Sequence, residues 1–110
     1  MINRTIGDKC INTYPNNIPI IVYYENIDMA NINHKLLVPN SMTFKAFLIL
    51  IRRKIKLPHN KSLTAFINNY QVGESDLISS LYLRYKNIHD GCLHIIIHKI
   101  NMFDNLLFSY

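Results

Sequence analysis

Ile18-Pro19-Ile20-Ile21-Val22-Tyr23-Tyr24 is almost entirely β-branched and aromatic and reads as a strand, with Pro19 near its start, where a missing N–H is tolerated. After a polar connection over Glu25 to His34, Lys35-Leu36-Leu37-Val38-Pro39 gives a short second strand that Pro39 stops. A proline there suits the edge of a sheet. The period then changes. Phe44, Phe47, Leu48, Ile51 and Ile55 fall at i, i+3, i+4, i+7 and i+11, one stripe of an amphipathic helix spanning Phe44 to Leu57. Ser41 and Thr43 are both suitable N-caps for it, Arg52, Arg53, Lys54 and Lys56 complement the dipole at its far end, and Pro58 is expected to stop it. Two strands ahead of the first helix disfavour a ferredoxin-like βαββαβ order and point to a β-grasp, in which the last strand returns beside the first.

Downstream, Leu63-Thr64-Ala65-Phe66-Ile67 reads as a third strand, and Asn68-Asn69 as a turn into a short strand around Tyr70. Ser75 is expected to cap a second helix, with Asp76 in its first turn and Leu77, Ile78, Leu81, Tyr82 and Tyr85 on its buried face. His89-Asp90-Gly91 is a turn into Cys92 to His98, an Ile-rich strand suited to the sheet centre. Upstream, Met1 to Asn17 is polar, and Ile2, Ile6, Cys10 and Ile11 allow at most one short helix. The class is therefore α+β, a mixed sheet of four to five strands packed by helices. The expected organisation is a short extension over 1–17, a β-grasp domain over 18–103 and a tail over 104–110.

A chain of 110 residues has room for one such domain, and 49% hydrophobic against 17% charged residues excludes wholesale disorder. The longest apolar run, Ala46 to Ile51, is far below the roughly 20 residues of a spanning helix, and Met1 to Cys10 lacks a signal-peptide centre, so a cytoplasmic protein is expected. Cys10 and Cys92 then remain thiols. The net charge of +5 favours acidic partners without choosing among nucleic acid, anionic membrane and acidic peptide.

Several ordered motifs resemble the autophagy ubiquitin-like family that includes GABA-receptor-associated protein and the microtubule-associated light-chain type. They are Ile18-Pro19-Ile20-Ile21, Lys35 to Pro39, Ile51-Arg52-Arg53-Lys54-Ile55-Lys56-Leu57-Pro58, Phe66-Ile67-Asn68-Asn69, Leu81 to Lys86 and Asp90-Gly91-Cys92-Leu93, over about Tyr14 to Phe103. The segment ahead of Ile18 is shorter than the family's pair of N-terminal helices, and Asn17 replaces its Arg. Asp104 stands at the position of its terminal Gly, followed by Asn105 to Tyr110. The resemblance implies a ubiquitin-like β-grasp adaptor that docks aromatic-x-x-aliphatic peptides along its edge strand and associates with autophagosomal or other vesicle membranes. Pro19, Ile21, Lys35, Leu37 and Cys92 are implied as a pocket for the aromatic residue. Leu36, Val38, Pro39, Met42, Phe47 and Leu50 are implied for the aliphatic one, with Arg52 and Lys54 attracting acidic flanks. The partners implied are receptors or machinery carrying that motif and the family's activating and conjugating enzymes. Membrane contact is expected only through conjugation or a recruiting partner, and Asp104 argues against lipid conjugation.

Independently of the resemblance, an edge strand such as Lys35 to Val38 offers backbone groups with which an extended peptide can pair. The bland alternative is a β-grasp interaction domain whose apolar residues are ordinary core, with Leu106, Leu107 and Phe108 making a different contact. A small basic nucleic-acid-binding domain is a weaker alternative, because neither a stacking array nor a recognition-helix pattern accompanies the basic run, and no nucleic-acid partner is expected. His94 and His98, four apart on a strand, are roughly 13 Å from each other and cannot share one ion, so no metal is expected. Cys92 has no base partner in sequence, and no phosphate loop, nucleophile elbow or carboxylate pair occurs, so neither an enzyme nor a cofactor is expected.

Overall fold

The strand Asn17–Glu25 (β1) lies second in a five-stranded sheet and carries the architecture. In the computed structural model, which describes residues 5–25, 27, 33–58 and 61–101, a helix Ile6–Thr13 (α1) precedes it. After β1 come β2 (His34–Pro39), α2 (Phe44–Ile55), β3 (Lys61–Ile67), β4 (Tyr70–Gln71), α3 (Ile78–Tyr85) and β5 (Leu93–Asn101). The sheet order is β2-β1-β5-β3-β4. β1 runs antiparallel to β2 and parallel to β5, and β5 is antiparallel to β3. First and last strands thus lie side by side, the α+β β-grasp expected from two strands ahead of the first long helix.

Strand alternation sorts β1 into two faces. Ile18, Ile20 and Val22 are buried with Leu93, Ile95 and Ile97 of β5, Ala65 and Ile67 of β3 and Val38 of β2, in one core with Phe44, Phe47 and Ile51 of α2 and Ile78, Leu81 and Tyr82 of α3. Each such large apolar side chain contributes about 1.5–3 kcal/mol when taken from water. Pro19 and Ile21 point to the opposite face, where α1 packs on β1.

Helix ends follow local chemistry more than the apolar pattern. Thr43 caps α2, its hydroxyl accepting from the Ala46 N–H at 3.2 Å. The helix ends at Ile55 because Lys56 turns left-handed (φ 52°), and its N–H still reaches the Arg52 carbonyl. Pro58 is therefore not the stop. α3 begins three residues after Ser75, which caps nothing there, and Leu77 is 43% exposed instead of joining the buried face. Asp76 instead accepts from the Gly73 N–H and the Tyr70 hydroxyl, both at 2.9 Å. The Ile78 N–H donates to the Met42 carbonyl at 3.0 Å and Phe44 N–H to the Asp76 carbonyl at 2.8 Å, so the two helix starts satisfy each other's orphan donors. Asn68 and Asn69, both at positive φ, make the two-residue turn between β3 and β4.

α1 is held by a close backbone approach. Thr5 and Asp8 form a reciprocal capping box, and the Gly7 N–H donates to the Asp90 carbonyl at 2.7 Å. A Cβ on Gly7 would overlap the carbonyl oxygen of Gly91, itself at φ +71°. Gly7→Ala is accordingly expected to cost about 1–3 kcal/mol, read as a lower melting temperature, and to raise the rate at which Cys10 reacts with a thiol probe as α1 lifts from the sheet. A variant with unchanged melting and unchanged Cys10 reactivity would show that this approach does not hold the helix.

Candidate functional site

Among the described residues β2 lies at the sheet edge and pairs only with β1, so one side of its backbone has no strand partner there. Its side chains alternate. Lys35 and Leu37, opposite Ile21 and Pro19, share the α1 face, while Leu36 and Val38, opposite Ile20 and Ile18, share the face of α2. On the α1 face lies a largely apolar cavity of about 340 Å³. All five residues implied for an aromatic side chain, Pro19, Ile21, Lys35, Leu37 and Cys92, line it. Leu37 is 40% exposed at the edge, and Lys35 is exposed beside it. Ile6 and Cys10 of α1 and Asp90 complete the wall, with contributions from Ile20 and Leu36.

The residues implied for an aliphatic side chain behave differently. Val38 (2% exposed) and Phe47 (0%) belong to the core, Leu36, Met42 and Leu50 are half-buried against it, and Pro39 is exposed. Arg52 and Lys54 also part company. The Arg52 guanidinium donates to the Lys61 carbonyl at 3.0 Å and reaches that of Pro58 at 3.5 Å, tying the end of α2 to the start of β3. Lys54 is exposed. Asp104, expected to block conjugation, and the tail of 104–110 with Leu106, Leu107 and Phe108 lie outside the described residues.

Asp90 organises the deep end of the cavity. Its Oδ1 accepts from the Cys92 N–H at 2.9 Å, and its Oδ2 lies 2.6 Å from His94 Nε2. The other ring nitrogen of His94 is 2.9 Å from the Tyr23 hydroxyl, and the two rings stack at 5.6 Å. Burial pushes the Asp90 carboxyl up, but the Cys92 N–H and His94 outweigh it and hold the group below its ordinary value. The Cys92 thiol is pushed up to about 11, first by burial and then by the Asp90 charge. It is a packing group, without the thiolate character of a nucleophile. Among the described residues no three His, Cys, Asp or Glu side chains gather as metal ligands.

The family described as autophagy protein Atg8, ubiquitin like, matches residues 3–104. The chain belongs to this family. It is 33% identical over 106 residues to autophagy-related protein 8 of Kluyveromyces lactis, covering 94% of this chain and 85% of the relative. It is 37% identical over 92 residues to autophagy-related protein 8e of Arabidopsis thaliana, covering 82% and 75%. The fold is similar to the crystal structure of Trypanosoma brucei ATG8, with a TM-score of 0.78 and 24% identity over 86% of this chain and 83% of that one. It also resembles Plasmodium falciparum Atg8 in complex with an Atg3 peptide from that organism, with a TM-score of 0.69 and 24% identity over 84% and 85%. The chain is thus an autophagy ubiquitin-like protein, and no described helix is long and apolar enough to cross a membrane.

Ile6, Cys10 and Asp90 were not legible in the sequence as parts of the cavity. Ile6 and Cys10 lie four apart, the helical repeat that puts them on one face, but nothing in that spacing says which surface they meet. Asp90 carried only a turn signal. Because the folded state holds its carboxyl low, the contribution of Asp90 to stability is complete above the ordinary carboxylate value and is lost as pH falls through the lower folded one. The stability advantage of the wild type over Asp90→Asn should therefore shrink as pH falls below the ordinary carboxylate value, measured as urea midpoints. An advantage that stays constant as pH falls would remove the charge of Asp90 from the account.

Proposed function

We propose that this chain is a non-catalytic adaptor that adds a short aromatic-x-x-aliphatic peptide to its sheet along β2, with the aromatic side chain in the cavity under α1. The observation that carries the reading is the cavity of about 340 Å³ directly beside an edge strand with a free backbone side. The spacing of the motif follows from strand geometry. Side chains three apart on an extended peptide point to opposite faces, so an aromatic directed at Lys35 and Leu37 sends the aliphatic residue towards Leu36 and Val38. Main-chain pairing supplies generic affinity, and the two anchors supply preference.

Lys35 at the cavity and Lys54 favour acidic residues beside the aromatic, whereas Arg52, engaged with β3, has a structural role. The Atg3 peptide held by the Plasmodium falciparum relative supports protein partners such as the family's conjugating enzymes. Cys92 puts a small side chain at this wall and leaves the cavity wide. Trp-anchored peptides are favoured over Phe- or Tyr-anchored ones for that reason.

Isothermal titration with an acidic-flanked Trp-x-x-Leu peptide is expected to give a micromolar constant, since two anchors and a short strand addition yield roughly 8 kcal/mol. Leu37→Asp places a charge in the cavity wall without entering the core and should weaken binding by roughly tenfold or more. Cys92→Phe should narrow the preference for Trp. Equal binding of a peptide with both anchors changed to Ala would defeat the reading, and an unchanged ranking in Cys92→Phe would show that this wall does not set anchor size.

A further inference from the structure

Four aromatic residues in this chain are followed three positions later by Leu or Ile, and three of these pairs are committed to the fold. Tyr24 hydrogen-bonds His34 at 2.6 Å before Ile27, Phe47 is fully buried in α2 before Leu50, and Tyr85 ends α3 stacked on Tyr70 before Ile88. The fourth, Phe103-Asp104-Asn105-Leu106, follows β5 directly. We infer that this tail segment is a ligand of the groove along β2, and that the groove it fills belongs to a second copy of the chain. The inference rests on the docking role proposed above and names one partner for it.

Reach decides between the same copy and another. Cys92 stands at the cavity, and β5 runs from the next residue through nine residues as a single strand, roughly 27–30 Å at about 3.3 Å per residue. Phe103 lies two residues past Asn101, a span of at most about 7 Å fully extended. The aromatic ring therefore cannot return to the cavity of its own chain, because β5 carries it to the far end of the sheet. In a second copy no such constraint holds. Phe103 enters the cavity lined by Pro19, Leu37 and Cys92, Leu106 turns to the opposite face beside Leu36, and the carboxylate of Asp104 next to the aromatic suits Lys35 at the cavity. Such a contact joins two different surfaces, so it builds either a dimer with exchanged tails or a head-to-tail chain.

The consequence is self-occupancy that rises with concentration and must be displaced by any other peptide. The full chain and its Phe103→Ala/Leu106→Ala variant, both altered only beyond β5 if at all, are compared by sedimentation velocity from roughly 1 to 300 µM. The wild type is expected to associate within that range and the variant to stay monomeric. A synthetic peptide of residues 99–110 is then titrated onto the variant. It should bind with a micromolar constant, and roughly tenfold or more weakly when both anchors in the peptide are Ala or when the protein carries Leu37→Asp. An acidic-flanked Trp-x-x-Leu peptide titrated in parallel separates the two readings. If that peptide binds and the 99–110 peptide does not discriminate between its own anchors and Ala, the tail inference is overturned while the docking role stands. If neither binds, both fall. Association that persists in the double variant, or a monomeric wild type whose groove is already closed to the Trp peptide, also overturns the inference.

Discussion

The parallel pairing of β1 with β5 joins the beginning and end of the described chain, and with α2 and α3 on one side and α1 on the other it puts β1 where both faces are covered. Ile18, Ile20 and Val22 close the core against α2 and α3, while Pro19 and Ile21 give the outer face a surface that water does not suit. A sheet in which only one face of β1 were apolar would leave α1 nothing to cover. With α1 in place, Ile6 and Cys10 approach Pro19 and Ile21, and the space left over is the cavity. The groove is thus a by-product of a strand buried twice, bounded on its open side by β2, which has no further strand partner among the described residues.

How α1 reaches the sheet is settled by two glycines. Gly7 and Gly91 bring backbone against backbone, with the Gly7 N–H on the Asp90 carbonyl, and no side chain at either position leaves room for that contact. The same turn places the Asp90 carboxylate between the Cys92 N–H and His94, which passes the connection on to Tyr23 in β1. The cavity wall and the neighbouring outer face of the sheet are therefore joined through one carboxylate. An ordinary turn sequence, His89-Asp90-Gly91, becomes the hinge point between helix, turn and strand.

The elements whose existence rests on periodicity could be read directly. The stripe from Phe44 to Ile55, the β-branched run of β1 and the Asn68-Asn69 turn all have local causes that tertiary structure did not override. The misreadings share another origin. Lys56 ends α2 through a left-handed residue that no composition rule picks out, and Ser75 is not the cap of α3 because the helix begins at Ile78 with Leu77 in the N-cap position, after the turn that Asp76 closes with Gly73 and Tyr70. Arg52 looked like one more exposed cation in a basic run, and only the path of the chain into β3 reveals its carbonyl partners. For the cavity, the family resemblance named Pro19, Ile21, Lys35 and Leu37 in β1 and β2 and Cys92 in the turn before β5, and all five line it. The helix residues Ile6 and Cys10 escaped because helical spacing puts them on one face without identifying the surface that face meets, and Ile6 is 63% exposed even at the cavity rim.

In the proposed docking, the two sides of the groove would differ in how much of the binding work is already done. The aromatic side is an open cavity lined by residues fixed in β1, β2 and the turn before β5, so a ring entering it displaces water and orders little. On the aliphatic side Val38 and Phe47 are already packed, and an incoming Leu or Ile must find its contacts among the half-buried Leu36, Met42 and Leu50. Met42 is the most adaptable of these, an unbranched side chain that can repack around a guest. In the proposed docking, part of the gain from that anchor would be spent on rearrangement, and less of it at the aromatic anchor. Under the proposed docking, discrimination among partners would be concentrated at the cavity, in the size of the ring and the charge beside Lys35, while β2 would contribute a backbone contact that any extended sequence can make.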